Sequence, residues 1–119
     1  MKIFSTLVIS GINLEDKTNP YLIVDTQGFL PKKEKTPEEK ISTLELAKKM
    51  LEEITGCDPI WACLVLSGVY EKEDGIYIIY SCFIPTEVKI DNAYNRCKIL
   101  DLKNDLDIIS ASLSSRGYQ

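Results

Sequence analysis

The chain has 119 residues, 45% of them apolar and 27% charged, with a formal net charge of −4. That size suits one domain, residues 1–119, around one core, and the negative balance excludes a protein that grips nucleic acid or anionic membrane over a broad face. Histidine is absent, so Ser/His/Asp and Cys/His catalysis is excluded, and any acid–base or metal chemistry falls to carboxylates, Lys, Tyr or Cys, with magnesium or manganese the natural metals.

Lys2 to Ile12, KIFSTLVISGI, is rich in β-branched residues and is expected to be a strand. Its apolar start has no cleavage site and turns polar by Asn13, so it does not read as a signal peptide. Asn13 to Pro20 is a loop, and YLIVD (21–25) a second strand closed by Thr26-Gln27-Gly28. GFLPKKEKTPEEK then reads as a lysine-rich loop around two prolines.

A helix follows. Thr36-Pro37-Glu38-Glu39 and Ser42-Thr43-Leu44-Glu45 are both capping boxes. Ser42 is the expected main cap, with a short turn at Pro37. Leu46, Ala47, Met50, Leu51 and Ile54 fall on one helical face, and Glu45, Lys48, Lys49, Glu52 and Glu53 on the other. Gly56 is the expected left-handed stop.

IWACLVLSGVY (60–70), the turn EKEDG (71–75) and IYIIYSCFIP (76–85) read as a hairpin, its second arm central and covered on both faces. CKILDL (97–102) reads as a further strand. Asn104 or Asp105 is expected to cap a last helix, with Leu106, Ile109 and Leu113 at helical spacing. The sum is an α/β (α+β) domain. The longest apolar run, beginning at Ile60, is too short to span a bilayer. Cys57, Cys63, Cys82 and Cys97 contain no C-x-x-C pair, which points to reduced thiols in a cytoplasmic protein.

The order of elements, with residues 28–57 in its middle, resembles the Nudix family, whose members hydrolyse nucleoside diphosphate-linked compounds with magnesium or manganese. Phe29-Leu30-Pro31 resembles the family's approach strand, Glu45-Leu46-Ala47-Lys48-Lys49 its helix, and Thr55-Gly56-Cys57 the exit. The resemblance implies a Nudix-like α/β/α sandwich, a mixed sheet with a box helix on one side and a C-terminal helix on the other.

Anchoring the Nudix box on Gly56 puts Lys49 at its arginine, Met50 at its first helix glutamate, and Glu53 and Ile54 at its glutamate pair. The upstream glutamate falls on Ile41, and the Gly-Gly after Leu-Pro becomes Lys32-Lys33. Residues at i, i+3 and i+4 share a helical face, so the family's three-carboxylate cradle becomes Met50, Glu53, Ile54. One carboxylate cannot hold several hard cations. Sliding the frame by one residue makes Glu52-Glu53 the pair but places Lys49 at a metal-binding position.

The expectation is therefore a degenerate Nudix box in a non-catalytic module, a pseudoenzyme with no cofactor, binding a nucleotide-type molecule, a protein partner or a second copy. The alternative is a divergent Nudix hydrolase using Mg2+ or Mn2+, with Glu53 and Glu52 the candidate catalytic residues and Glu53 the candidate metal ligand. Lys32, Lys33, Lys35 and Lys49 are the candidate ligand-binding residues. Each has a plainer reading: Glu53 as a solvated partner of Lys49, the lysine run as a solvated loop balanced by Glu34, Glu38 and Glu39. Trp61 is read as core rather than a stacking platform, and Tyr70, Tyr77 and Tyr80 as including at least one packed residue. Asp101 and Asp105 are the carboxylates available from another segment, Asp105 more simply as a cap.

Overall fold

The computed structural model describes residues 1–15, 18–56, 64–85 and 88–115, with backbone alone at 113–115. Among the described residues six strands, β1 (Ile3–Gly11), β2 (Tyr21–Asp25), β3 (Lys32–Lys35), β4 (Val65–Lys72), β5 (Gly75–Phe83) and β6 (Tyr94–Lys98), form one mixed sheet. Helices α1 (Thr43–Thr55) and α2 (Leu106–Ser115) cover its two faces. The sheet runs β4-β5-β1-β2-β6, and β3 also pairs with β1.

β1 organises the sheet. One edge lies parallel to β5, from Ile3 opposite Ile76 to Ser10 opposite Phe83. The other edge is shared: β3 takes its first half, Ile3 opposite Lys35 to Thr6 opposite Lys32, and β2 meets Ser10 and Gly11. Alternation then sorts the side chains. Leu7, Ile9, Ile23, Tyr80 and Cys82 pack with Ala47, Met50, Leu51 and Ile54 of α1. Leu22, Val24, Tyr77 and Ile79 pack with Leu30, Leu102 and Ile108 on the α2 side. This is the α/β/α sandwich expected from the sequence.

α1 begins and ends as read. The Ser42 hydroxyl accepts the Glu45 N–H at 3.1 Å, and Gly56 closes the helix in the left-handed region at φ 68°. The competing box is used locally: Glu39 N–H reaches the Thr36 carbonyl and the Thr36 hydroxyl reaches Glu39 Oε1, both at 3.1 Å, making the turn at Pro37.

Four expectations are corrected. Lys32–Lys35 is a strand, not a loop, because the first half of β1 needs a backbone partner on that edge. The segment 97–102 divides: Tyr94–Lys98 is β6, and Ile99–Asp101 is a 3₁₀ turn. The hairpin turn is tighter than 71–75, since Glu71 and Lys72 remain in β4 and Gly75 opens β5. In α2, Leu106 is 53% exposed while Ile108 and Ile109 are buried; the Leu113 side chain lies outside the described residues. Residues 57–63, with Cys57, Trp61 and Cys63, lie outside them too.

Candidate functional site

The α1 triplet divides between core and solvent. Met50 is 4% and Ile54 0% exposed, and both belong to the cluster that includes Leu7, Ile9 and Tyr80. Glu53 lies on the exposed outer face with Lys49 and Glu52. These three and Gly56 line a shallow hollow of about 410 Å³. Among the described residues, no three His, Cys, Asp or Glu side chains group as a metal-holding cluster.

Tyr94 is the tyrosine on which the charge of Glu53 acts. It packs against the α1 core from the first position of β6. Its phenol is raised above the ordinary tyrosine range, first by burial, then by the negative charges of Glu53, Asp91 and Asp25. Asp25 ends β2 and accepts the Gln27 and Phe29 N–H groups through Oδ1, at 2.9 and 3.0 Å. Asp91 docks on the end of α1, its N–H 2.7 Å from the Ile54 carbonyl, and its Oδ2 accepts the Ala93 N–H. Sequence reasoning missed Asp25, Asp91 and Tyr94. The two aspartates sit in turn-forming stretches, Asp-Thr-Gln-Gly and Asp-Asn-Ala, where a local role hides any longer-range one. Of the carboxylates singled out from the sequence, Asp101 adds to the effect of burial, which is the larger cause, in raising the Cys97 thiol, and Asp105 serves Lys32.

The lysines fall in separate places. Lys32 lines a cavity of about 320 Å³ with Asp25, Phe29, Leu30, Pro31 and Tyr94. Its Nζ lies 2.6 Å from Asp105 Oδ2, donates to the Leu30 carbonyl at 3.1 Å, and sits 5.5 Å from the Phe29 ring centre. Asp105 stands just before α2 at φ 59°, its carbonyl accepting the Ile109 N–H. Its carboxylate does not close the helix: it takes the Leu30 N–H at 2.9 Å together with Lys32, which corrects the capping expectation. Lys33 is exposed on β3 opposite Ser5. Lys35 borders a different cleft of about 600 Å³ with Met1, Lys2 and Asp74. Lys49 is on α1. Tyr77 and Tyr80 are packed: the Tyr77 hydroxyl donates to Asp74 at 2.6 Å, and the Tyr80 and Thr43 hydroxyls are 2.8 Å apart.

No family model matches this sequence, and no curated protein matches it. Solved structures do. A mutT/nudix family protein from Listeria innocua superposes with a TM-score of 0.67 at 17% identity, over 96% of this chain and 92% of that one. The C-terminal domain of mouse MUTYH, solved in complex with human PCNA, gives 0.72 at 11% identity, over 98% and 89%. A C. elegans Ap4A hydrolase gives 0.59 at 14% identity, over 96% and 94%. At such identities the likeness is one of architecture: this chain has the Nudix fold.

Proposed function

We propose, from the Nudix fold as premise, that this chain is a non-catalytic binding module whose ligand is a nucleotide-type small molecule or a protein partner. The observation that carries this reading is the burial of Met50 and Ile54. In the frame set by Gly56 these residues stand where the resemblance calls for metal-binding carboxylates, and both are core residues here. Magnesium and manganese want several oxygen ligands each. Of the triplet Met50, Glu53, Ile54 only Glu53 carries a carboxylate, and Lys49 lines the same hollow as Glu53 and Glu52, so the donor set there does not fit such an ion.

Two observations support a protein partner. Val65, Leu66 and Val69 of β4, at one end of the sheet order, are 47%, 58% and 56% exposed. A similar fold, the MUTYH domain, was solved bound to another protein. For the small-molecule arm, Lys49 and Lys33 are the exposed candidates. A divergent hydrolase has one observation in its favour: the negative charges of Glu53 on α1, Asp91 in the turn before β6 and Asp25 at the end of β2 all act, after burial, to raise the Tyr94 phenol.

Phosphate release from nucleoside triphosphates, dinucleotide polyphosphates and nucleotide sugars, with and without magnesium or manganese, separates the readings. The expected result is no release by the native chain or by Glu53→Gln. Metal-dependent release that is lost in Glu53→Gln would overturn the binding-module reading.

A further inference from the structure

Among the described residues, Lys32 is the only lysine lining the cavity formed by Asp25, Phe29, Leu30, Pro31 and Tyr94. Its ammonium is engaged on several sides: Asp105 Oδ2 at 2.6 Å, the Leu30 carbonyl at 3.1 Å, and the Phe29 ring. The pair is largely out of water, with side-chain exposures of 22% for Lys32 and 8% for Asp105. Asp105 is fixed in turn by the Leu30 N–H. An anion entering the cavity must therefore compete with a carboxylate that is already in place and already desolvated. It also meets Asp25, whose Oδ1 is held by two backbone N–H groups.

We propose that Asp105 is a specificity-determining residue: by holding Lys32 it closes this cavity to phosphate-type anions. The proposal rests on the binding-module reading and narrows it. The phosphates of a nucleotide-type ligand do not sit here. Asp105 touches no ligand itself and acts through Lys32. Removing its charge while keeping an oxygen for the Leu30 N–H, as Asp105→Asn does, leaves the ammonium with only carbonyl and ring partners. The cavity then gains a cation able to turn toward an anion.

The test uses inorganic pyrophosphate, titrated at low salt into the native chain, Asp105→Asn, and the double variant Asp105→Asn/Lys32→Met, followed by calorimetry. Asp105→Asn is expected to bind pyrophosphate roughly tenfold or more tightly than the native chain, on the scale of one nearby charge in a medium of intermediate dielectric. The double variant is expected to lose that gain. No gain in a folded Asp105→Asn overturns the proposal, as does a gain that survives in the double variant. Should Asp105→Asn fail to fold, the native chain decides: with ¹⁵N-labelled lysine, an unmoved Lys32 ammonium signal under pyrophosphate supports the mask, and a saturable shift overturns it. Pyrophosphate binding reports on the mask and metal-dependent phosphate release on the binding-module reading, so either can fail while the other stands.

Discussion

Replacing Met50 by Glu puts a carboxyl group back where the family frame expects one, and asks whether that position is core or site. Met50 is 4% exposed among Leu7, Ile9 and Tyr80. Burying a side chain of this size is worth about 1.5–3 kcal/mol, which the substitution forfeits in large part. The introduced carboxyl must also shed its charge or bury it. Holding it neutral at pH 7 against an ordinary value near 4.3 costs about 4 kcal/mol, at 1.36 kcal/mol per unit, as an upper limit before it reaches toward solvent. The expected loss at pH 7 is therefore about 3–6 kcal/mol, a large share of a domain stability of roughly 5–15 kcal/mol. The sign with pH follows. The folded state keeps a proton that the unfolded chain releases above about pH 4.3, so the ionisation part of the loss grows as pH rises and mostly vanishes near about pH 4.5, leaving the packing loss. Urea unfolding followed by circular dichroism at both pH values, with and without magnesium, measures it. A loss under about 1 kcal/mol at pH 7, combined with magnesium-dependent stabilisation, would refute the assignment of this face to the core.

Thr6 is fully buried on β1, and its hydroxyl has no hydrogen-bond partner among the described residues. Thr6→Val keeps the shape and removes the unpaired group, so a gain of about 1 kcal/mol is expected in chemical denaturation; a loss would mean the hydroxyl is satisfied. Tyr77 donates to Asp74 at 2.6 Å, and burial together with that contact pushes its phenol well above the ordinary range. Above about pH 10 the unfolded chain releases a proton that the folded chain keeps, so stability falls with rising pH. Asp74 is lowered, first by the same hydrogen bond, and adds stability that is lost as pH falls through its folded value. Tyr77→Phe should flatten both arms in urea midpoints taken across pH; unchanged slopes would contradict the assignment. Tyr94, also raised, leaves part of the alkaline decline in place.

How much was legible from sequence depends on whether the signal was local. Ser42 and Gly56 announce the ends of α1 by their own chemistry, and both were read correctly. The buried face of α1 follows from helical spacing: all five expected residues are buried, and Thr55, whose hydroxyl donates to the Leu51 carbonyl, joins them. β3 was missed because Lys-Lys-Glu-Lys has no apolar alternation; it is a strand through its pairing with Ile3–Thr6, a fact held by another segment. β6 was misplaced for the same reason, since Tyr94–Lys98 is defined by its register against Tyr21–Asp25. In the candidate site, the exposure of Glu53 and Lys49 was readable from α1 alone. The Lys32–Asp105 pair joins residues far apart in sequence, so no local pattern announces it.

The parallel ladder of β1 against β5 carries a kinetic consequence. Its partners, from Ile3 with Ile76 to Ser10 with Phe83, are more than seventy residues apart. Closing so long a loop is entropically slow, and domains rich in distant pairings fold late relative to their helices. As the chain emerges from a ribosome, β1 meets β2 and β3 first, and it waits with one edge bare until β5 has been made. Until then the β5 edge of its apolar stretch from Leu7 to Ile9 has no partner, and an unpaired apolar edge is open to wrong pairing.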